Sequence, residues 1–119
     1  MSDNVYFLAE VTIKQGEFDN FKALVEEMIE TTLANEPNTL NYEWSITEDS
    51  QSCHIYERYA DSVATMTHLG TFREKFEERL LAAVEPTRFV VYGTPNNEVK
   101  ESLSGLDAVF MTPIGGFAR

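Results

Sequence analysis

The segment VYFLAEVTI, Val5 to Ile13, constrains this chain more than any other. Its residues alternate at the two-residue period of a strand. Val5, Phe7, Ala9, Val11 and Ile13 fall on one face, and Tyr6, Leu8, Glu10 and Thr12 on the other. Both faces therefore carry apolar area. A sheet covered on one side only usually shows a polar second face, so Tyr6 and Leu8 are either scattered surface apolars or, the favoured reading, part of a face that a second subunit covers, with helices on the other side.

The rest of the chain supplies the helices and further strands. Phe18, Phe21, Leu24, Val25, Met28, Ile29 and Leu33 recur at helical spacing, and Pro37 ends that helix near Asn35. TLNYEWSITE and SCHIYERYA alternate again, joined by the polar turn EDSQ, and predict a hairpin. In the first of these, Leu40, Tyr42, Trp44 and Ile46 are expected on one face. Asp61 is a suitable N-cap for SVATMTHL, and Gly70 a suitable stop. TFRE, from Thr71, has capping-box spacing and reads as a fresh start, with Pro86 as the end of that run. TRFVVYG is a further strand, NNEVKESLSG a short helix or turn, and AVFMTPI an edge strand. The order β-α-β-β-α-β, with the second helix broken at Gly70, predicts an α+β chain of ferredoxin-like topology, with an antiparallel sheet and its helices on one face. One domain over residues 1–119 is expected, its core about 5–94 and its C-terminal extension 95–119.

Composition excludes some partners. The net charge of −11 disfavours nucleic acid and anionic membranes, because a phosphate backbone is bound through a basic face. The single cysteine, Cys53, can form no internal disulfide and reads as a small core residue. The N-terminal MSDN lacks the basic and apolar regions of a secretory signal, and no run is long enough to span a bilayer. A cytoplasmic protein is expected.

Few residues can carry chemistry. His54 lies on the strand face of Tyr56 and Arg58, away from the helices, and reads as structural or interfacial. His68 is placed by the expected break in the last turn of a helix, where the dipole favours a charged imidazole. Glu57 and Tyr59 share a face with Cys53 and Ile55. If that face meets the helices, Glu57 is a carboxylate in an apolar layer, and must be paired or hydrogen-bonded. Arg73, Arg79, Arg88 or a loop would supply the partner, or Glu57 is a functional acid. Tyr42 and Trp44 would be core residues or stack on an aromatic ligand. The scattered His and acidic residues predict no metal site.

Several of these pieces together resemble the antibiotic biosynthesis monooxygenase family. They are LAEVTIKQGEFDNFKALVEEM, the run Pro37, Leu40, Tyr42, Glu43, and the run from Glu57 through Tyr59 and Asp61 to His68. The resemblance covers about Val5 to Val91. It implies a dimeric α+β barrel formed through the open sheet face, and cofactor-independent oxygenation of a small phenolic, quinol or polyketide-type aromatic by O2. No flavin, haem or metal would be needed. It further implies His68, Tyr59 and Glu57 as catalytic residues, with Trp44, Tyr42, Met66, Phe72 and Phe76 binding the substrate. Tyr59 stands where many members carry tryptophan. Val11 stands where the haem-degrading branch carries asparagine, which argues against haem. A ligand-binding or stress-associated dimer without catalysis, and an isomerase or lyase, are the alternatives on the same barrel.

Overall fold

The computed structural model describes residues 2–119. Its elements run β1 (Val5–Ile13), α1 (Phe18–Asn35), β2 (Thr39–Ile46), β3 (Ser52–Tyr59), α2 (Ser62–Lys75), α3 (Glu77–Ala83), β4 (Val84–Gly93), α4 (Asn97–Ser102) and β5 (Val109–Met111). The sheet order is β2-β3-β1-β4-β5. The β2–β3, β3–β1 and β1–β4 pairs are antiparallel. The short edge strand β5 pairs parallel to β4, which the intervening α4 makes possible. The expected α+β, ferredoxin-like fold is the one observed.

The helices cover the face that carries Val5, Phe7, Val11 and Ile13. Two buried clusters lie between the layers. One joins Val11 and Ile13 of β1 to Phe21, Leu24 and Met28 of α1 and to Phe76 and Leu80. The other joins Val5, Phe7 and Tyr59 to Ala64 and Leu69 of α2 and to Val99 and Leu103 at α4. Burying side chains of this size contributes about 1.5–3 kcal/mol each. The site described below lies where the two clusters meet.

Four local expectations need correction. The helix α2 does not break at Gly70 but runs through it to Lys75, and the chain bends at Phe76 (φ −126°, ψ −27°). His68 and Leu69, both buried, hold this turn against the sheet, so the helix continues despite a glycine. His68 is therefore mid-helix, out of reach of the end effect. Thr71 starts no helix. The α3 helix ends at Ala83, and Pro86 lies within β4, at an irregularity where Val11 pairs with Pro86 directly after Glu10 pairs with Arg88. A proline is tolerated at such a bulge because no ladder bond is required of it. In β2, a second irregularity places Thr39 opposite Tyr59 and Asn41 opposite Arg58. Leu40 thereby leaves the face of Tyr42 and Trp44 and is exposed. Asp61 does cap α2, its carboxylate accepting from the Ala64 N–H at 2.8 Å.

Two glycines respond oppositely to a methyl group. A Cβ at helical Gly70 would meet nothing within 4 Å, whereas at Gly93 (φ +106°) it would lie 2.5 Å from the Asn4 carbonyl oxygen. Gly70→Ala is expected to raise the unfolding free energy by about 0.5–1 kcal/mol. Gly93→Ala is expected to lower it by about 1–3 kcal/mol. Chemical denaturation of the two variants checks both signs.

Candidate active site

The site begins with β3. Its alternation turns Glu57 and Tyr59 toward the helices, where Phe7 of β1 and Tyr42 of β2 flank Glu57 in the sheet. The Tyr59 side chain is fully buried, and its hydroxyl donates to Glu57 Oε1. From above, α2 brings in His68. Its Nε2 lies 3.2 Å from Glu57 Oε1 and its Nδ1 lies 2.9 Å from Glu36 Oε1. His68 thus spans two carboxylates, with side-chain exposures of 6% for His68, 4% for Glu36 and 9% for Glu57.

Glu36 is the member that sequence reasoning missed. It caps the C-terminus of α1, its N–H donating to the Thr32 carbonyl, and Pro37 forces the chain to turn there. The irregularity in β2 brings up Thr39, whose hydroxyl donates to Glu36 Oε1 at 3.0 Å. One signal was present in the sequence. An acidic residue at a helix C-terminus opposes the dipole, and α1 carries no basic residue in its last turn. A cation from elsewhere was required, and His68 supplies it.

The partners expected for Glu57 are engaged elsewhere. Arg73 bonds to Ser102, Arg79 to Glu27, and Arg88 approaches Glu10 at 3.5 Å. His68 and Tyr59 take their place.

The electrostatics follow from this geometry. Burial on its own would push the His68 imidazole toward neutrality. The hydrogen bonds to Glu36 and Glu57, with the charges of both, overcome that and raise its pKa from 6.5 to about 9. At neutral pH His68 is an imidazolium with both N–H groups donating. Tyr59 is pushed well above the ordinary phenol range, by burial first and then by the Glu57 charge. Tyr42 shifts the same way for the same reasons, with Glu36 adding to it. Both phenols are therefore held neutral. Among the described residues no group of three or more His, Cys, Asp or Glu is arranged to hold a metal ion.

A cavity of about 200 Å³ opens beside this cluster, where the two cores meet. Glu57 and His68 line it on the side of the cluster, Glu10, Glu77 and Arg88 are its other charged lining residues, and Tyr42, Trp44, Phe72 and Ile55 are among its apolar walls. Successive rings form one side. Trp44 lies 5.4 Å from Tyr42, and Tyr42 lies 5.1 Å from His68, each pair edge to face. Of the residues expected to bind substrate, Tyr42, Trp44 and Phe72 line the cavity. Met66 instead packs against the second core and Phe76 within the first. His54 lies outside, exposed on the open face beside Glu10.

The arrangement can hold an apolar molecule against a proton donor and a carboxylate. A family model described as antibiotic biosynthesis monooxygenase matches residues 4–72, which include every member of the cluster. The chain belongs to the antibiotic biosynthesis monooxygenase family. Solved structures place this family member in the same fold. MupZ from Pseudomonas fluorescens is 22% identical, with a TM-score of 0.84 over 99% of this chain and 96% of that one. A Bacteroides thetaiotaomicron protein named for the same family is 26% identical, with a TM-score of 0.64 over 70% of this chain and 81% of that one. SnoaB from Streptomyces nogalater, a cofactor-independent oxygenase crystallised as a point variant, is 16% identical, with a TM-score of 0.64 over 81% of this chain and 97% of that one. No curated protein matches the chain by sequence. Among the described residues, no helix is long and apolar enough to cross a membrane.

Proposed function

We propose that this protein is a cofactor-independent monooxygenase that oxidises a small phenolic, quinol or polyketide-type aromatic with O2, working as a cytoplasmic homodimer. The observation that carries the reading is the His68 imidazolium held between two carboxylates on one side of a largely apolar cavity. An electron-rich phenol binds with its oxygen on that side. Glu57 accepts its proton, and the positive charge of the His68 imidazolium beside it stabilises the resulting anion in an apolar surrounding. Tyr59, whose hydroxyl is occupied by Glu57, positions that carboxylate. Tyr42, Trp44 and Phe72 hold the aromatic body. The anion then passes an electron to O2. One oxygen atom enters the substrate as a carbonyl at a former CH2 position. The other leaves as water with both hydrogens, and the substrate supplies all four electrons. The family match and the likeness to an oxygenase such as SnoaB support this chemistry.

The test is oxygen uptake by metal-stripped protein with a panel of reduced quinols and anthrones. One O2 consumed per carbonyl formed is expected, with label from heavy-oxygen O2 entering the product. Ligand-induced thermal stabilisation without turnover would instead make this a binding protein. A second reading, proton transfer by an isomerase or lyase, is favoured by His68 being held protonated, since an acid beside a carboxylate also suits enolisation. Product formed without oxygen uptake would select it.

The dimer rests on the open sheet face. Tyr6 and Tyr56 lie side by side there, their rings tilted by 30° with centroids 6.5 Å apart, and Tyr56 and Tyr92 are both exposed. Tyr56→Asp, which places a carboxylate in the centre of this patch, is expected to halve the sedimenting mass. An unchanged mass would mean that the protomers meet elsewhere.

A further inference from the structure

The cavity is not uniform along its length. Four residues standing directly opposite one another cross the sheet beneath it: Trp44 of β2, Ile55 of β3, Ala9 of β1 and Phe89 of β4. All four line it, so it spans three strand spacings, about 14 Å. Its two halves differ in chemistry. Over β2 and β3 stand the rings of Tyr42 and Trp44, with the buried Glu57 and His68. Over β4 the walls beside Phe89 are aliphatic: Leu80 and Leu81 of α3, Val84, and Leu103 and Leu106 after α4. Leu81 and Leu106 are 44% and 53% exposed, so this half is where the cavity meets water. Ala9 lies between the halves and is the smallest side chain of the row. A methyl group there leaves the halves joined, where a longer side chain would divide them. Glu10, Glu77 and Arg88 set two carboxylates against one guanidinium in the lining, which gives it no net attraction for an anionic group.

We propose that the ligand is an alkyl-substituted phenol or quinol, its ring in the half of Glu57 and His68 and its saturated chain crossing Ala9 to lie among the leucines over β4. Ala9 is then the residue that determines specificity for the chain. This deepens the monooxygenase reading and rests on it for the phenolic head. The chain is held by burial alone, and each methylene covered is expected to tighten binding about fourfold. That gain is bounded. A cavity of about 150 Å³ holds benzene, and this one has about 200 Å³. The difference leaves room for roughly two or three carbons beside a ring, after which the chain emerges past Leu81 and Leu106.

The test is a homologous series, phenol and its para-alkyl derivatives from methyl to octyl, titrated anaerobically by NMR so that no turnover is needed. Affinity is expected to rise about fourfold per carbon as far as propyl, then to change by less than about twofold from butyl to octyl. Ala9→Leu places a branched side chain in the middle of the row and should hold the whole series within about twofold of phenol itself. A second measurement uses the wild-type protein alone. Nuclear Overhauser contacts are expected from the terminal methyl of propylphenol to the methyl groups of Leu103 and Leu106, and from its ring protons to Tyr42 and Trp44. An affinity independent of chain length overturns the proposal, as does failure of every member to bind. So does a rise that continues undiminished to octyl, which would mark a greasy surface in place of a bounded site. A rise that survives in Ala9→Leu, or a chain methyl that contacts Tyr42 and Trp44 instead, overturns it equally. If the chain dependence is found but neither these phenols nor the matching hydroquinones support oxygen uptake in air, the alkyl site stands and the oxygenase reading falls. Oxygen uptake at equal kcat/KM for short and long chains keeps the oxygenase reading and overturns the alkyl site.

Discussion

His68→Ala is expected to lower the unfolding free energy by about 3–5 kcal/mol, more than any single substitution elsewhere in the cavity wall. The loss comes from what remains behind. Glu36 and Glu57 are both buried and both face His68. Without the imidazolium, two carboxylates stay in an apolar layer with Thr39 and Tyr59 as their remaining donors. The same substitution is expected to reduce kcat/KM by about 10²–10⁴, the usual worth of a positioned acid or base. Two further variants separate these effects. Glu36→Gln keeps the shape and removes one of the two charges that hold the imidazole protonated, so it should lower the pKa of His68 while sparing Glu57. Replacing His68, Glu36 and Glu57 together by apolar residues of similar volume removes every buried charge. It should restore much of the lost stability, as apolar replacement of buried ion clusters often does, yet leave no activity. Denaturant unfolding and steady-state rates on the same preparations check this. A His68→Ala protein as stable as the wild type would mean that the cluster is not an ionic one.

Stability is expected to fall as pH rises from about 6.5 to 9 and beyond, by about 3 kcal/mol from this group. The sign follows from the direction of the shift. The folded-state pKa of His68 is raised to about 9 from 6.5, so the folded state binds the proton more tightly than the unfolded chain does. The contribution is complete below about 6.5, where both states are protonated, and is lost as pH passes through about 9. Imidazole titration followed by NMR gives the pKa, and denaturant midpoints across the range give the stability. His68→Ala should abolish this segment of the profile. A neutral His68 at pH 7 would sink the prediction, and with it the role of an imidazolium in stabilising the substrate anion.

The strands and the first helix were legible because their signal is local. Two-residue alternation in Val5–Ile13 and 3.6-residue recurrence in Phe18–Leu33 each lie within one element. The second helix was harder to read. Its buried positions are Ala64, Thr65, His68 and Leu69, mostly small or polar, so no apolar stripe outweighed the stop implied by Gly70. The two sheet irregularities depend on pairing between strands and have no signature within either one. The site divides in the same way. Glu57 and Tyr59 were visible as a pair because one strand presents both. Glu36 was not, since it meets His68 only after α1, β2 and α2 have packed, across a separation of 32 residues. The unpaired charge at the end of α1 was the local trace of that distant contact.

The position of β1 has a consequence for how the protein is made. Of the five strands described it is made before the other four, yet it sits between β3 and β4 in the sheet, and its pairing with β4 is complete only at Gly93. A nascent chain therefore carries an apolar strand with both edges unpaired until β3 is made at Tyr59, and with one edge still open until Gly93, the kind of segment that seeks strands in neighbouring chains. The β1–β4 pairing is non-local, so the final closure is slow compared with formation of the helices. Folding yield, rather than the stability of the finished molecule, is where substitutions in Val5–Ile13 will first be felt.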